Sequence, residues 1–161
     1  MSKENKTNVM RVLDQKKIPY TEHFYEGVVS GMDVAEYLNE DPARCFKTLV
    51  TVAPSKAHYV FIVPVNATLD LKKAAKAVGE KSISMIKQDE LLPLTGYVHG
   101  GCSPIGMKKQ FKTIIDETAI DKTIFISAGK IGYQVELKYD DLKKVISLRT
   151  ADLIEELNLK K

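Results

Sequence analysis

The chain has 161 residues, of which 44% are hydrophobic and 28% charged, with a formal net charge of +3 at pH 7. These values are ordinary for a globular protein, and they exclude collagen, coiled coil and disorder for the chain as a whole. The longest strongly apolar run, residues 59–65, is far shorter than the ~20 residues of a membrane helix. The polar start of the chain has no signal-peptide core, so we expect one cytoplasmic domain over residues 1–161 that does not contact a membrane.

Metal chemistry is not expected from the sequence. The two cysteines, Cys45 and Cys102, are far apart, no CxxC is present, and His23, His58 and His99 are scattered. This spacing does not build a zinc site, and nothing else in the sequence indicates a cofactor. A reducing compartment would keep both thiols free, although the sequence alone leaves a disulfide open.

The basic residues favour contact with phosphate groups over reading of base edges. Only Arg11, Arg44 and Arg149 are arginines among the 24 basic residues, and the others are lysines. Lysine tolerates many phosphate geometries, whereas arginine forms bidentate hydrogen bonds with the guanine edge. If a nucleic acid is the partner, we therefore expect backbone contact.

In chain order, the first part of the sequence predicts helices and strands in alternation. A helix begins after the N-cap Thr7, a short strand occupies residues 20–25, and Ser30 begins a second helix with Asp33 as its capping partner. Two buried strands, Phe46–Val52 and residues 59–65, are spaced for an antiparallel hairpin.

The second part of the sequence continues this mixed pattern, which predicts an α+β fold with a mixed sheet. Asp70 begins a helix that Gly79 ends, and three glycines and a proline exclude a regular element from residues 100–106. Asp140 or Asp141 begins a further helix, and Thr150 caps a last helix carrying Leu153, Ile154 and Leu157. The other predicted elements are a strand at residues 82–86, a helical turn at 88–94, strands at 113–115, 123–127 and 133–137, and a turn at 128–132.

Lys47 is the most distinctive candidate for a functional residue. It lies in an apolar strand, where alternation places it on one face with Leu49 and Thr51. A lysine beside buried leucine must pair with an anion or lower its pKa. The competing interpretation is a lysine whose ammonium group reaches water from the strand end.

The glycine-rich segment at residues 100–106 is a second candidate. Consecutive glycines let backbone amides approach a ligand oxygen, and such nests bind anions, although a plain turn fits equally well. Cys102 could act as a nucleophile with His99 as its base, but no orienting third group is recognisable. The turn at residues 127–130 and the lysine-rich stretch at 107–112 are weaker candidates for the same site.

Four motifs occur in an order that resembles the YbaK/EbsC family. They are FKTLV at residues 46–50, LKKAAKAVG at 71–79, GYVHGGCSPIG at 96–106 and SAGK at 127–130. The resemblance covers residues 7–154. It implies the fold of the editing domain inserted in bacterial prolyl-tRNA synthetases, which is a curved, mixed and partly barrel-like sheet surrounded by helices.

The resemblance also implies an activity and a set of site residues. The implied task is trans-editing, the removal of cysteine from mischarged Cys-tRNA(Pro) and, as a further substrate, Cys-tRNA(Cys). Lys47 matches the family's essential lysine, and Gly100 and Gly101 match the loop around the ester and terminal adenosine. The implied substrate-binding residues are Tyr25, Ser103, Ser127, Gly129 and Gln134, with Gln134 standing where relatives carry aspartate.

The mechanism expected from these residues is substrate-assisted. The thiol of the misattached cysteine would attack its own ester, so the protein needs no nucleophile of its own. The lysines expected to contact the tRNA backbone are Lys108, Lys109 and Lys112, and the expected partners are proline tRNA and, as the family suggests, prolyl-tRNA synthetase. The alternatives are a deacylase for another mischarged tRNA, such as Ala-tRNA(Pro), and a non-catalytic module that binds a nucleotide or aminoacyl-tRNA.

Overall fold

The computed structural model describes residues 6–27 and 30–155. Its α-helices are α1 (Asn8–Gln15), α2 (Gly31–Tyr37), α3 (Leu71–Val78), α4 (Leu91–Thr95) and α5 (Tyr139–Val145). Its strands are β1 (Thr21–Phe24), β2 (Phe46–Val52), β3 (His58–Pro64), β4 (Ser84–Met85), β5 (Lys112–Asp116), β6 (Thr123–Lys130), β7 (Tyr133–Lys138) and β8 (Arg149–Ala151).

The described strands form two sheets, so the α+β class is confirmed while the single, partly closed sheet is not. One sheet has the order β1-β7-β6 and is antiparallel throughout. The other has the order β4-β2-β3-β5-β8 and is mixed, because β3 pairs with β5, and β5 with β8, in parallel. Neither order closes on itself, and a bridge between Cys45 and Phe125 joins the two sheets beside β2.

The predicted caps place the helices that surround the sheets. The Thr7 side chain accepts a hydrogen bond from the amide of Met10, and the Ser30 side chain accepts one from the amide of Asp33. Asp70 caps α3 in the same way, and Gly79 ends it in the left-handed region at φ 74°. These side chains satisfy amides that the first turn of a helix leaves unpaired, which confirms the predicted helix starts.

Strand β3 separates two hydrophobic cores. Val60 and Ile62 pack in the larger core, whereas Phe61 and Val63 pack in a smaller core with α3. All four side chains are buried, as expected for a central strand covered on both faces. The neighbouring strand β2 pairs with β3 over its whole length, and this pairing fixes the position of Lys47 opposite Val63.

An ionic network also joins the sheets where β2 begins. The Arg44 guanidinium pairs with Glu136 on β7 at 3.1 Å and with Glu40 at 3.3 Å. Its Nε donates to the backbone oxygen of Thr123 at 2.9 Å, and the other carboxylate oxygen of Glu136 lies 2.8 Å from His23 Nε2. The network fixes β7 against the residues that lead into Lys47.

The helix predicted after Thr150 is wrong. Residues 149–151 form β8, which runs parallel to β5, and the buried carboxylate of Asp116 accepts a hydrogen bond from the amide of Leu153 at 2.8 Å. Pairing with the edge of β5 and the hydrogen bond to Asp116 hold these residues extended. The helical pattern that they override has only two described apolar residues, Leu153 and Ile154. The third, Leu157, lies outside the described residues.

Smaller differences concern the ends of elements. The strand predicted at residues 82–86 is reduced to β4, and β6 continues through the predicted turn with a bulge between Ser127 and Lys130. Helix α5 begins at Tyr139, one residue before Asp140. In the described ranges the longest helices have eight residues, and none could cross a membrane. Both cysteines are free.

Candidate active site

A cavity of about 380 Å³ lies where β2, the glycine-rich segment and the β6–β7 hairpin meet. It brings together five of the residues expected from the sequence, namely Tyr25, Lys47, Gly100, Ser127 and Gln134. The other lining residues are Gly31, Val34, Phe46, Thr48, Leu49, Val50, Val65, Met85, Ile86, Lys87, Gln88, Leu91, His99 and Cys102. The cavity is therefore largely apolar with a few polar groups, the usual character of a small-molecule site.

Lys47 is the half-buried cation of this cavity, whereas the second lining lysine, Lys87, is exposed. Burial lowers the pKa of the Lys47 ammonium group below the ordinary value of 10.5. Among the described residues it has no hydrogen bond or ion pair to compensate for this loss of hydration. A cation held in this way gains most from an anionic or strongly polar ligand in the cavity.

Two buried oxygens in the cavity wall also have no partner. They are Thr48 Oγ1 and Gln134 Oε1, and neither has a hydrogen bond in the described part of the chain. Buried polar atoms are rarely left unpaired in native proteins, because their loss of hydration costs about 1–3 kcal/mol. Their position in the cavity wall suits donors supplied by a ligand.

Gly100 and Gly101, the two glycines of the loop expected around the ester and terminal adenosine, have different positions. Gly100 lines the cavity with φ 90°, a conformation that favours glycine. Gly101 does not line it, and its amide donates to the Val98 backbone oxygen at 2.9 Å. The Gly101 amide thus already has a partner within the loop, and its expected role as a ligand donor stays a prediction.

Gly101 instead permits close packing of the loop on the β6–β7 hairpin. A Cβ atom at this position would lie 3.0 Å from the amide nitrogen of Ile131 and 3.2 Å from the carbonyl carbon of Lys130. Both are backbone atoms, so neither can rotate away. Glycine at position 101 thus sets the distance between Gly100 and the hairpin that carries Ser127 and Gln134.

Ser103 and Gly129, which the resemblance predicts to bind substrate, do not line the cavity. Ser103 is fully buried, and its hydroxyl accepts a hydrogen bond from the amide of Ile105 at 3.3 Å. Gly129, at φ 92°, packs against Tyr97, and its amide donates to Ser127 Oγ at 3.1 Å. Both residues shape the loops behind the cavity because their polar groups are used in local turns.

Cys102 is a poor nucleophile in this environment. The thiol is buried, and burial raises its pKa to about 12, so that the group is protonated at neutral pH. His99 also lines the cavity, but no hydrogen bond joins the two side chains in the described structure. The dyad considered from the sequence therefore lacks both thiolate character and an oriented base.

The lysines expected to contact the tRNA backbone are exposed and do not line the cavity. The Lys108 ammonium lies 3.3 Å from the backbone oxygen of Pro93, and that of Lys109 lies 5.9 Å from the Phe111 ring centroid. Lys112 begins β5, where it pairs in register with Tyr59. Of the three, Lys108 is the one with a contact to the segment that carries α4.

Sequence analysis did not identify several lining residues. Strand alternation placed Thr48 on the face opposite Lys47, yet both residues border the cavity. Lys87 and Gln88 come from a short 3₁₀ turn that carries no recognisable motif. In the described residues, no group of three or more His, Cys, Asp or Glu side chains could hold a metal ion.

Comparison with known proteins relates this site to tRNA editing. The model of the aminoacyl-tRNA editing domain family matches residues 26–145. An Enterococcus faecalis protein assigned as Cys-tRNA(Pro)/Cys-tRNA(Cys) deacylase EbsC is 48% identical over 138 residues, which cover 83% of this chain and 84% of that protein. These matches include every residue that we have described in the cavity from Lys47 to Gln134.

Solved structures share the fold at lower identity. A structure assigned as a trans-editing enzyme for prolyl tRNA synthetase has a TM-score of 0.80 at 21% identity, covering 93% of this chain and 99% of that chain. A hypothetical protein, APE2540, has a TM-score of 0.85 at 16% identity and covers 92% of this chain and 100% of that chain. The sequence resemblance to the YbaK/EbsC family is confirmed, and the chain belongs to the aminoacyl-tRNA editing domain family.

Proposed function

We propose that this chain, acting as a single domain, is a trans-editing deacylase that removes cysteine from Cys-tRNA(Pro) and also accepts Cys-tRNA(Cys). The observation that carries the proposal is the meeting of Lys47, Gly100, Ser127 and Gln134 in one cavity. The 48% identity with a protein assigned to this activity supports the choice of substrate.

The proposed reaction uses the nucleophile of the substrate. The cysteinyl sulfur forms a bond to the ester carbonyl carbon, and the bond from that carbon to the ribose oxygen breaks. The thiol loses its proton, the leaving ribose oxygen gains one, and the products are cysteine thiolactone and tRNA with a free terminal hydroxyl. Attacking atom and ester belong to one molecule, so correct positioning can supply several kcal/mol of the reduction in the barrier.

The composition of the cavity wall favours this route over attack by a protein carboxylate or thiol. The described lining residues contain no aspartate or glutamate that could serve as a general base. Cys102, the one lining thiol, is protonated at neutral pH because burial raises its pKa to about 12. A cavity that orients the substrate and stabilises charge is sufficient for intramolecular attack.

Lys47 and Gly100 have separate proposed roles. The Lys47 ammonium anchors the terminal nucleotide, and its incomplete hydration strengthens contact with an anionic or polar group there. The amide of Gly100, on the cavity wall, supplies a donor for the oxyanion that forms on the ester carbonyl. The free oxygens of Thr48 and Gln134 accept hydrogen bonds from the α-ammonium group of the amino acid.

Selection of the tRNA body is proposed to depend on other contacts. The exposed lysines Lys108, Lys109 and Lys112 contact backbone phosphates, which gives loose and salt-dependent binding. Such contacts do not distinguish one tRNA from another. Prolyl-tRNA synthetase is the proposed partner that presents proline tRNA to the deacylase.

The test is deacylation of Cys-, Ala- and Pro-tRNA(Pro), with identification of the released amino acid species. We expect rapid release from the cysteinyl substrate only, with a cysteine thiolactone as the first product. Equal release of alanine would replace the proposal with a water-attack deacylase of broader specificity, because alanine has no thiol. Binding of aminoacyl-tRNA without turnover would replace it with a non-catalytic binding module.

A further inference from the structure

A second, open groove of about 670 Å³ lies next to the active-site cavity. Its wall is formed by the end of β2, the turn into β3 and the segment that carries α4. The lining residues are Val52, Lys56, His58, Lys87, Asp89, Glu90, Pro93 and Leu94. This groove has no role in the proposed cleavage step.

The groove adjoins the cavity. Lys87 lines both, and the helical segment that follows it forms the wall between them. Gln88 and Leu91, three positions apart, face the cavity, whereas Glu90 and Pro93, also three apart, face the groove. One helical segment thus presents one face to each space, as the spacing of side chains on a helix requires.

Lysines lie in and around the groove, whose lining also includes the carboxylates of Asp89 and Glu90. Lys56 and Lys87 line it and are exposed, and the Lys108 ammonium contacts the backbone oxygen of Pro93 at 3.3 Å. The Phe111 ring lies 5.7 Å from the ring of His58, which lines the groove, and 5.9 Å from the Lys109 ammonium. Lys108 and Lys109, which do not line the cavity, therefore lie beside this second space, whereas Lys112 pairs with Tyr59 and shares its face of the sheet, opposite that of His58.

The groove also contains acceptors that a purely phosphate-binding surface would not need. The exposed carboxylate of Asp89 has no hydrogen bond or ion pair in the described structure. A carboxylate repels phosphate but accepts hydrogen bonds from the exocyclic amino group of cytosine. The half-buried imidazole of His58 offers a flat surface on which an unpaired base can stack.

We propose that this groove binds the unpaired cytidines that precede the terminal adenosine of the tRNA acceptor strand. The inference rests on the proposed function, because it assumes that the adenosine ester occupies the adjoining cavity. Lys56 and Lys87 contact the phosphates, His58 stacks on a base, and Asp89 accepts from a cytosine amino group. Strand β2 runs from Lys47 in the cavity to Val52 in the groove, about 16 Å at ~3.3 Å per residue, which suits a few nucleotides.

The test measures binding without catalysis. A CCA trinucleotide with a fluorescent label at its 5′ end is titrated with the whole protein, and unlabelled CCA, UUA and adenosine are used as competitors. We expect CCA to compete about tenfold better than adenosine, since base and phosphate contacts each add affinity. UUA lacks the cytosine amino groups, so it should compete less strongly than CCA and more strongly than adenosine.

Three exposed positions give matched variants. Lys56→Gln should weaken the binding of CCA and of UUA by a similar factor. Asp89→Ala should remove the preference for CCA over UUA and leave the affinity for adenosine unchanged. Lys72→Gln is the control, because Lys72 is exposed on α3 and lines neither space. All three retain the fold if their thermal unfolding matches that of the wild type.

The outcomes separate the two proposals. The groove proposal is refuted if CCA and adenosine compete equally, or if Lys56→Gln loses no more affinity for CCA than Lys72→Gln does. Either result leaves the deacylase proposal standing. If the expected binding pattern is found but the wild-type protein releases no cysteine from Cys-tRNA(Pro), the cleavage proposal fails and the strand-binding groove stands.

Discussion

Replacement of Gly101 by alanine tests whether the distance between the glycine loop and the β6–β7 hairpin controls catalysis. The new Cβ would lie 3.0–3.2 Å from three backbone atoms of Lys130 and Ile131, so loop and hairpin must separate by a few tenths of an ångström. We expect this overpacking to lower the free energy of unfolding by about 1–3 kcal/mol. Since a misplacement of ~1 Å can slow a reaction about a hundredfold, a shift of this size should slow deacylation about five- to tenfold.

The matched control is Gly79→Ala at the end of α3. Gly79 has φ 74°, and no atom lies within 4 Å of a Cβ built on it, so alanine there is strained but meets no neighbour. We expect a similar loss of about 1–2 kcal/mol with no change in rate. Urea unfolding gives the two stabilities, and single-turnover deacylation of Cys-tRNA(Pro) gives the rates. The reasoning is refuted if folded Gly101→Ala cleaves at the wild-type rate, or if Gly79→Ala slows equally.

Three further predictions use other parts of the structure. Cys102→Ala should keep most of the activity, because the raised pKa keeps the thiol protonated; loss of turnover together with a covalent adduct trapped on the wild-type Cys102 would establish an enzyme nucleophile. Arg44→Ala should lower the free energy of unfolding by about 1–3 kcal/mol in urea, since Glu136 loses a charged partner; an unchanged midpoint would show that the network does not join the sheets. Between the lowered pKa of Lys47 in the folded protein and its ordinary value of 10.5, the unfolded chain binds more protons than the folded chain. The contribution of Lys47 to the free energy of unfolding therefore rises with pH in this range. Lys47→Met should therefore be more stable than the wild type at pH 7, and the difference should shrink towards pH 10.5; a less stable variant would contradict the burial of the ammonium.

The sequence predicted the parts of the fold that depend on local signals. Thr7, Ser30 and Asp70 are helix caps because their side chains satisfy amides within three residues, an interaction that the neighbouring residues alone determine. The antiparallel pairing of β2 with β3 was equally predictable, because the two strands have similar lengths and are joined by a short turn. The helix after Thr150 failed because strand β8 depends on the edge of β5 and on Asp116, more than thirty residues away.

The same distinction applies to the site. Lys47 and Gly100 could be predicted because a lysine in an apolar strand and paired glycines are unusual in themselves. Gly101, Ser103 and Gly129 belong to the same motifs, yet their polar groups or Cα atoms contact neighbouring loops instead of the cavity. The role of a motif residue depends on which way the loop turns, and hydrogen bonds such as that from Gly101 to Val98 decide this.

Thr48 and Lys87 show what the sequence could not provide. Thr48 borders the cavity although strict alternation places it opposite Lys47, and Lys87 belongs to a turn without a motif. Both become visible only when β2 and the segment before α4 are brought together in three dimensions. The unpartnered oxygens of Thr48 and Gln134 are likewise a property of the assembled cavity.

The most direct test of the account is the rate at which Lys47→Ala removes cysteine from Cys-tRNA(Pro), measured beside Lys72→Ala as a surface control. Lys47 is the half-buried cation of the cavity, and Lys72 is exposed and lines neither space. The account predicts a loss of about a hundredfold or more for Lys47→Ala, since the substrate loses its anchor, and a wild-type rate for the control. Wild-type deacylation by a folded Lys47→Ala protein would contradict it.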